Sequence, residues 1–281
     1  MLLGLAALVS AVVAHGHGAL DERIARLKEQ VSLQPAKPEL RLQLADAQIQ
    51  HEEHAVALIE LDQAEHLAPG EASIERFRGE ALLALGRTGE ARRALDKFLA
   101  TQPGHGRALA LRARALLALG ETAAGLADYR AALQAARPLE AGLVAEAATA
   151  LAAHGHSDEA ITVLSASIDQ LGPVPPLLVQ ALELETVAGR YDAALARVQE
   201  LQKSAAMPEV WMARRAALLA QAGRHDEARA AWQSLLGHIG RLPNLRRGSV
   251  LLRDLTQQAQ RALAALPPVS ALSPHTSPPA S

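Results

Sequence analysis

Cysteine is absent from this 281-residue chain. That excludes disulfides, thiolate zinc sites, iron–sulfur clusters, thiol nucleophiles and a lipidated N-terminal cysteine. Aromatic residues are scarce as well, with two Phe, two Trp and two Tyr. A β-sandwich draws on β-branched and aromatic side chains, so this scarcity argues against one. A surplus of charge of either sign is also lacking. The net charge of −2 gives no general electrostatic case for nucleic acid or an anionic membrane. Past residue 14 no apolar stretch approaches the eighteen or so residues of a membrane-spanning helix, so no stable membrane insertion is expected. What is abundant is Leu, Val, Ile and above all Ala. Ala and Leu are strong helix formers, and Ala lets helices approach closely. The composition therefore points to many thin, tightly stacked helices. At this length a single core nears its upper limit, and a repetitive chain is one solution.

Leu2 to Ala14 is an unbroken run of apolar and small residues, and Val12-Val13-Ala14 places small side chains three and one before a cut. Thirteen helical residues span only about 20 Å, too short for a hydrocarbon core of roughly 30 Å. The run has the shape of a secretory signal, so residues 1–14 are read as a signal peptide and the mature protein as exported, in the periplasm. No Lys or Arg precedes the run, which departs from the usual signal pattern.

Internal repetition is plain. The string ALLALG occurs at Ala81–Gly86 and again at Ala115–Gly120, 34 residues on. Gly86, Gly120, Gly155, Gly189 and Gly223 follow one another at spacings of 34, 35, 34 and 34. Seven residues before each stand Gly79, Ala113, Ala148, Leu182 and Ala216; five after stand Ala91, Gly125, Ala160, Ala194 and Ala228. Nine after come the bulky Leu95, Tyr129, Leu164, Val198 and Trp232. An earlier copy fits with Glu52 in the glycine's place, flanked by Ala45, Ala57, Leu61 and Ala64 and closed by Pro69. Each unit reads as two antiparallel helices: the glycine ends the first, and Pro or Gly stops the second. Small residues let the two backbones touch, and the bulky residue fills the gap to the next unit. Only stacking buries such faces.

The period, the small residues on both helices, the turn strings GRTGEA, GRYDAA and GRHDEA and the closing Pro resemble the tetratricopeptide repeat family. The resemblance covers about 37–243, which is read as six repeats, and implies an all-α, right-handed superhelical solenoid of stacked helix-turn-helix units. Thirteen or fourteen helices are expected. The missing first glycine, the bulky Leu182 and the later closing Pro after the third unit depart from the family pattern. Residues 15–36 are read as a linker and N-terminal capping helix (Leu20 to Leu33), and 244–266 as a C-terminal cap containing an amphipathic helix from Gly248 to Leu266. Terminal repeats require such polar-backed covers. Residues 267–281, rich in Pro, Ser and Ala, read as a disordered tail.

Catalytic constellations are not apparent in the sequence. It contains no G-x-S-x-G elbow and no Gly-rich phosphate loop, and acidic pairs such as Asp158-Glu159 fall at helix starts, where they complement the helix dipole. A non-enzymatic protein is expected. His51, His54, His154, His156 and His225 fall at inter-helix turns of the first, fourth and sixth units and are expected to be solvated. His51-Glu52-Glu53-His54 is not the HExxH zinc motif, since its histidines are three apart instead of four.

Two sets of residues carry the functional expectations. The resemblance implies that the first helix of each unit lines a concave groove, at positions six, ten and thirteen before the turn. These are Asp46, Leu42 and Glu39 in the first unit, Glu80, Arg76 and Ser73 in the second, and Arg114, Ala110 and Arg107 in the third. In later units the same positions are mostly small and apolar. Arg76, Arg107 and Arg114 have the planar fork that meets a carboxylate bidentately; the alternative is that they pair with Glu80 and Asp46 across neighbouring helices. The Lys and Asn clamp with which some family members hold a C-terminal carboxylate is not found. The expected function is a protein- or peptide-binding scaffold of the cell envelope. Two alternatives stay open: a self-associating repeat module, and a metal-handling protein. In the latter, cleavage after Ala14 would expose His15-Gly16-His17, whose amine, amides and imidazole suit Cu(II) or Ni(II) in a square plane, with His15 and His17 as ligands.

Overall fold

The computed structural model describes residues 2–267, with side chains from residue 18. Among these there are fifteen α-helices and no strand. Two compact units divide the chain, Met1–Leu143 and Val144–Ser281.

Unit 1 opens with α1 (Leu2–Leu33) and continues with three helix pairs: α2 (Pro38–Gln50) with α3 (His54–Leu67), α4 (Ala72–Ala84) with α5 (Thr88–Thr101), and α6 (Gly106–Ala118) with α7 (Thr122–Ala135). At each turn the chain closes the same way. The amide after the turn residue reaches back five positions: Glu53 to the Gln48 carbonyl at 2.8 Å, Arg87 to Leu82 at 2.9 Å and Glu121 to Leu116 at 2.8 Å. This is the hydrogen bond of a left-handed helix stop. Gly86 and Gly120 hold φ at +72° and +79°, and a Cβ on either would meet nothing within 4 Å. The dihedral alone selects glycine there. In the first pair Glu52 adopts φ +63°, the one positive φ among the described non-glycine residues. Helix packing fixes this turn even where the residue type disfavours it.

Within each pair the small residues sit at the contact. Ala45, Ala57, Ala91 and Ala113 are fully buried, and the bulky Leu61, Leu95 and Tyr129 fill the core beside them. A Cβ on Gly79 would lie 2.5 Å from Leu95 Cγ, so α4 and α5 close up only because that atom is missing. Ile24, Leu27 and Val31 of α1 cover Leu44 and Ala47 of α2. Each such side chain contributes about 1.5–3 kcal/mol when fully buried. Polar contacts fasten the same cover: His51 Nε2 lies 2.8 Å from Asp21, and Arg23 lies 3.5 Å from Asp46. His51 is thus a partly buried docking residue in contact with Asp21 and not the solvated turn histidine its position suggests, because α1 folds over the turn.

Unit 2 holds α8 (Ala141–Ala153, which begins at the boundary), α9 (Ser157–Leu171), α10 (Pro175–Val187), α11 (Tyr191–Ser204), α12 (Pro208–Gln221) and α13 (His225–Arg241). The turn bond recurs from His156 to Leu151, Arg190 to Glu185 and Arg224 to Leu219, at 2.8–2.9 Å. The bulky Leu182 is accommodated, at 1% exposure. Exposed arginines after the turn bridge to the preceding repeat, Arg190 to Asp158 and Arg224 to Asp192, both at 2.8 Å. Each such pair contributes about 0.2–1 kcal/mol. Fifteen helices exceed the expected thirteen or fourteen, and one that was not expected is α14 (Asn244–Arg247), a single turn. Glu209 of α12, fully buried, anchors it by accepting from Arg246 at 3.4 Å while facing His238 of α13 at 3.1 Å. The closing helix α15 (Val250–Ala265) is capped by Ser249 and lays Leu252, Leu255 and Ala259 over Trp232 and Leu235.

Candidate functional site

In unit 1 the first helices α2, α4 and α6 touch one another in sequence, each also packing on its own partner helix. They form a continuous wall, and the residues counted back from each turn stand on it. Four of them come together. Glu80 accepts from Arg107 of the next repeat at 2.5 Å and faces Arg76, one turn away on its own helix, at 3.7 Å. Asp46, on the neighbouring first helix, accepts from the Gln50 amide at 2.8 Å and faces Arg23. The pairing of arginines with Glu80 is therefore the arrangement adopted.

The remaining residues stand apart from this cluster. Glu39 is exposed in the first turn of α2, and Leu42 packs half-buried against the core of the first two pairs. The Ser73 hydroxyl is taken by Glu71, which also accepts from the Ser73 amide as the N-cap of α4. Arg114 is exposed on α6 and is already engaged in an interaction. The His15 and His17 side chains lie outside the described residues, as does the tail from residue 268. Among the described residues no three His, Cys, Asp or Glu side chains gather as a metal would need, and no helix is long and apolar enough to cross a membrane.

Two members of the site were not legible beforehand. The Arg76 guanidinium lies over the Phe77 ring, 3.9 Å from its centroid. Burial pulls the Arg76 pKa down, Glu80 opposes this, and Arg107 adds to it. His105 caps α6, its Nδ1 accepting the Ala108 amide at 3.2 Å, and sets its ring edge-on to Phe98. Burial, then the charge of Arg76, holds the His105 pKa below its ordinary value. The signal for His105 was its place just after the Pro103-Gly104 break, where a helix must begin.

A family model described as tetratricopeptide repeat matches residues 78–141 and 187–239. The chain carries tetratricopeptide repeats over those residues. Among solved structures, the chain resembles PilF of Pseudomonas aeruginosa, at 14% identity and a TM-score of 0.55, over 79% of this chain and 97% of that one. It also resembles a tetratricopeptide repeat protein of Parabacteroides merdae, at 16% identity and a TM-score of 0.52, over 90% and 97% of the two chains. At such identities the likeness is one of fold alone. No curated protein matches the chain.

Proposed function

We propose that this tetratricopeptide protein is a non-enzymatic scaffold of the cell envelope that holds a protein or peptide partner along the first-helix wall of unit 1. The tetratricopeptide fold is a scaffold typical of protein–protein interaction. The observation that carries the placement is the row α2, α4 and α6, on which Asp46, Arg76, Glu80 and Arg107 stand together while Glu39 and Arg114 remain exposed. The apolar run Leu2 to Ala14 supports the envelope assignment.

A photoreactive residue in place of Glu39, on the wall, is compared with one in place of Asp192, 94% exposed at the start of α11 in unit 2. After irradiation of cells and fractionation, a partner identified by mass spectrometry is expected at position 39 and not at 192. Reversing Arg107 and Arg114 to Glu is expected to weaken that capture with the helical circular dichroism intact. A partner captured equally from both positions, or from the cytoplasmic fraction alone, rejects the reading.

A further inference from the structure

Three guanidiniums and two carboxylates converge on the wall. Asp46 is already answered by Arg23 and Gln50. Glu80 pairs with both Arg76 and Arg107, and Asp46 adds only a weaker attraction on Arg76, so the cluster of Arg23, Arg76, Arg107, Asp46 and Glu80 carries one cation in excess. Arg76 cannot hydrate that excess fully, since its side chain is 17% exposed and one face lies on Phe77. The neighbouring His105, disfavoured as a cation by burial and by both arginines, reports the same positive potential. Arg107 differs from Arg76 in being 63% exposed, so its fork can turn outward. A carboxylate arriving at the wall would accept from both guanidiniums, each of which offers donors in a planar fork. Glu80 would then keep one partner in place of two. A basic segment, in contrast, would meet uncompensated like charge.

We propose that the wall binds an acidic peptide segment, one of whose carboxylates bridges Arg76 and Arg107, with Glu80 as the internal competitor it displaces from Arg107. The proposal rests on the scaffold reading for where the partner lies and adds what the partner must carry. It assigns Glu80 an unusual sign: neutralising it strengthens binding, whereas a Glu80 that only supports the wall would weaken binding when changed.

The test uses the full chain and three synthetic peptides of equal length, alternating Ala with Glu, Gln or Lys. Anisotropy titration at low salt is expected to give the Glu peptide about tenfold or more over the Gln peptide, with the gap closing as salt screens it. Arg76→Gln with Arg107→Gln erases the preference, and Glu80→Gln widens it. If the double variant loses its helical signal, Arg107→Gln alone, at a mostly exposed side chain, must narrow the gap. Equal binding of the Glu and Gln peptides, a preference that survives loss of Arg107, or weaker acidic binding in Glu80→Gln overturns the proposal. A photoreactive residue at Glu39 separates the two readings. Peptides that crosslink there regardless of charge leave the scaffold wall standing and remove only the acidic chemistry; absence of any crosslink there removes both.

Discussion

Gly79 of α4 and Leu95 of α5 are packed so closely that a single methyl group on the glycine would fall 2.5 Å from Leu95 Cγ. Leu95 is fully buried, and the clash falls on its Cγ and both its methyl groups, not only on the far end of a flexible chain. Gly79→Ala is therefore expected to lower stability by about 1–3 kcal/mol, the range for overpacking a filled core. Gly104 is the control, since a Cβ there meets nothing within 4 Å and its φ is not positive. Urea unfolding compares the two. Because each repeat is coupled mainly to its neighbours, loss of hydrogen-exchange protection is expected to centre on α4, α5 and α6. Uniform loss along the chain would contradict that coupling.

Glu52 is the odd member of the turn series. Its φ of +63° is the conformation glycine supplies in the later repeats. Glu52→Gly relieves a left-handed penalty of roughly 1–2 kcal/mol and gives back about 0.4–1 kcal/mol through the freer unfolded chain. A small net gain in melting temperature is expected. Gly120→Val goes the other way, with a branched side chain forced to φ +79°. A Glu52→Gly protein that melts earlier would mean that the glutamate side chain itself stabilises the turn.

Four places before the turn, the second, third, fourth and sixth repeats bury Leu82, Leu116, Leu151 and Leu219, but the fifth buries Glu185 at 1% exposure. Arg197 donates to its Oε1 from Nε at 3.2 Å and Nη2 at 3.1 Å, and also reaches Ser165. Glu185 Oε2 has no protein partner. Arg197→Ala should be severe, about 3–5 kcal/mol, because it strands a buried carboxylate. Glu185→Leu combined with Arg197→Leu should restore most of that loss, since Leu is what four of the other five repeats place there, the first having Gln48. A double variant no more stable than Arg197→Ala would show that the pair has a favourable role of its own.

The turns and the pair contacts were readable because they depend on residue size and dihedral freedom, which recur at a fixed period. Ala91, Ala160 and Leu164 could be placed in the core by counting from a glycine. The wall residues could be placed by the same count, but their partners could not. Arg107 and Glu80 are 27 residues apart in sequence, and a long flexible side chain chooses among several acceptors once neighbouring helices are fixed. Asp21 and His51 were missed as a pair for the same reason. His105 went unread because a helix cap is usually sought among Ser, Thr, Asp and Asn. The single turn α14 has no period at all, and its tie to the fold, Arg246 on the buried Glu209, is a contact between distant residues.

The last prediction concerns His105 and acid. Its Nδ1 accepts the Ala108 amide, which requires that nitrogen to be unprotonated, and burial together with the charge of Arg76 pushes its pKa below the ordinary 6.5. The folded chain thus holds this proton less readily than the unfolded chain, so unfolding takes up a proton as the medium acidifies. The stabilisation is complete above the unfolded value of about 6.5 and is lost as pH falls from there through the depressed folded pKa. The chain has ten other histidines, so the informative quantity is a difference between proteins. His105→Asn keeps a side-chain oxygen that can accept the Ala108 amide and removes the titration. Urea midpoints taken at intervals from pH 7.5 down to pH 5 are expected to fall less steeply for His105→Asn than for the parent chain, the gap opening below about pH 6.5. Parallel curves, or a variant that falls faster than the parent, would remove His105 as a source of acid sensitivity.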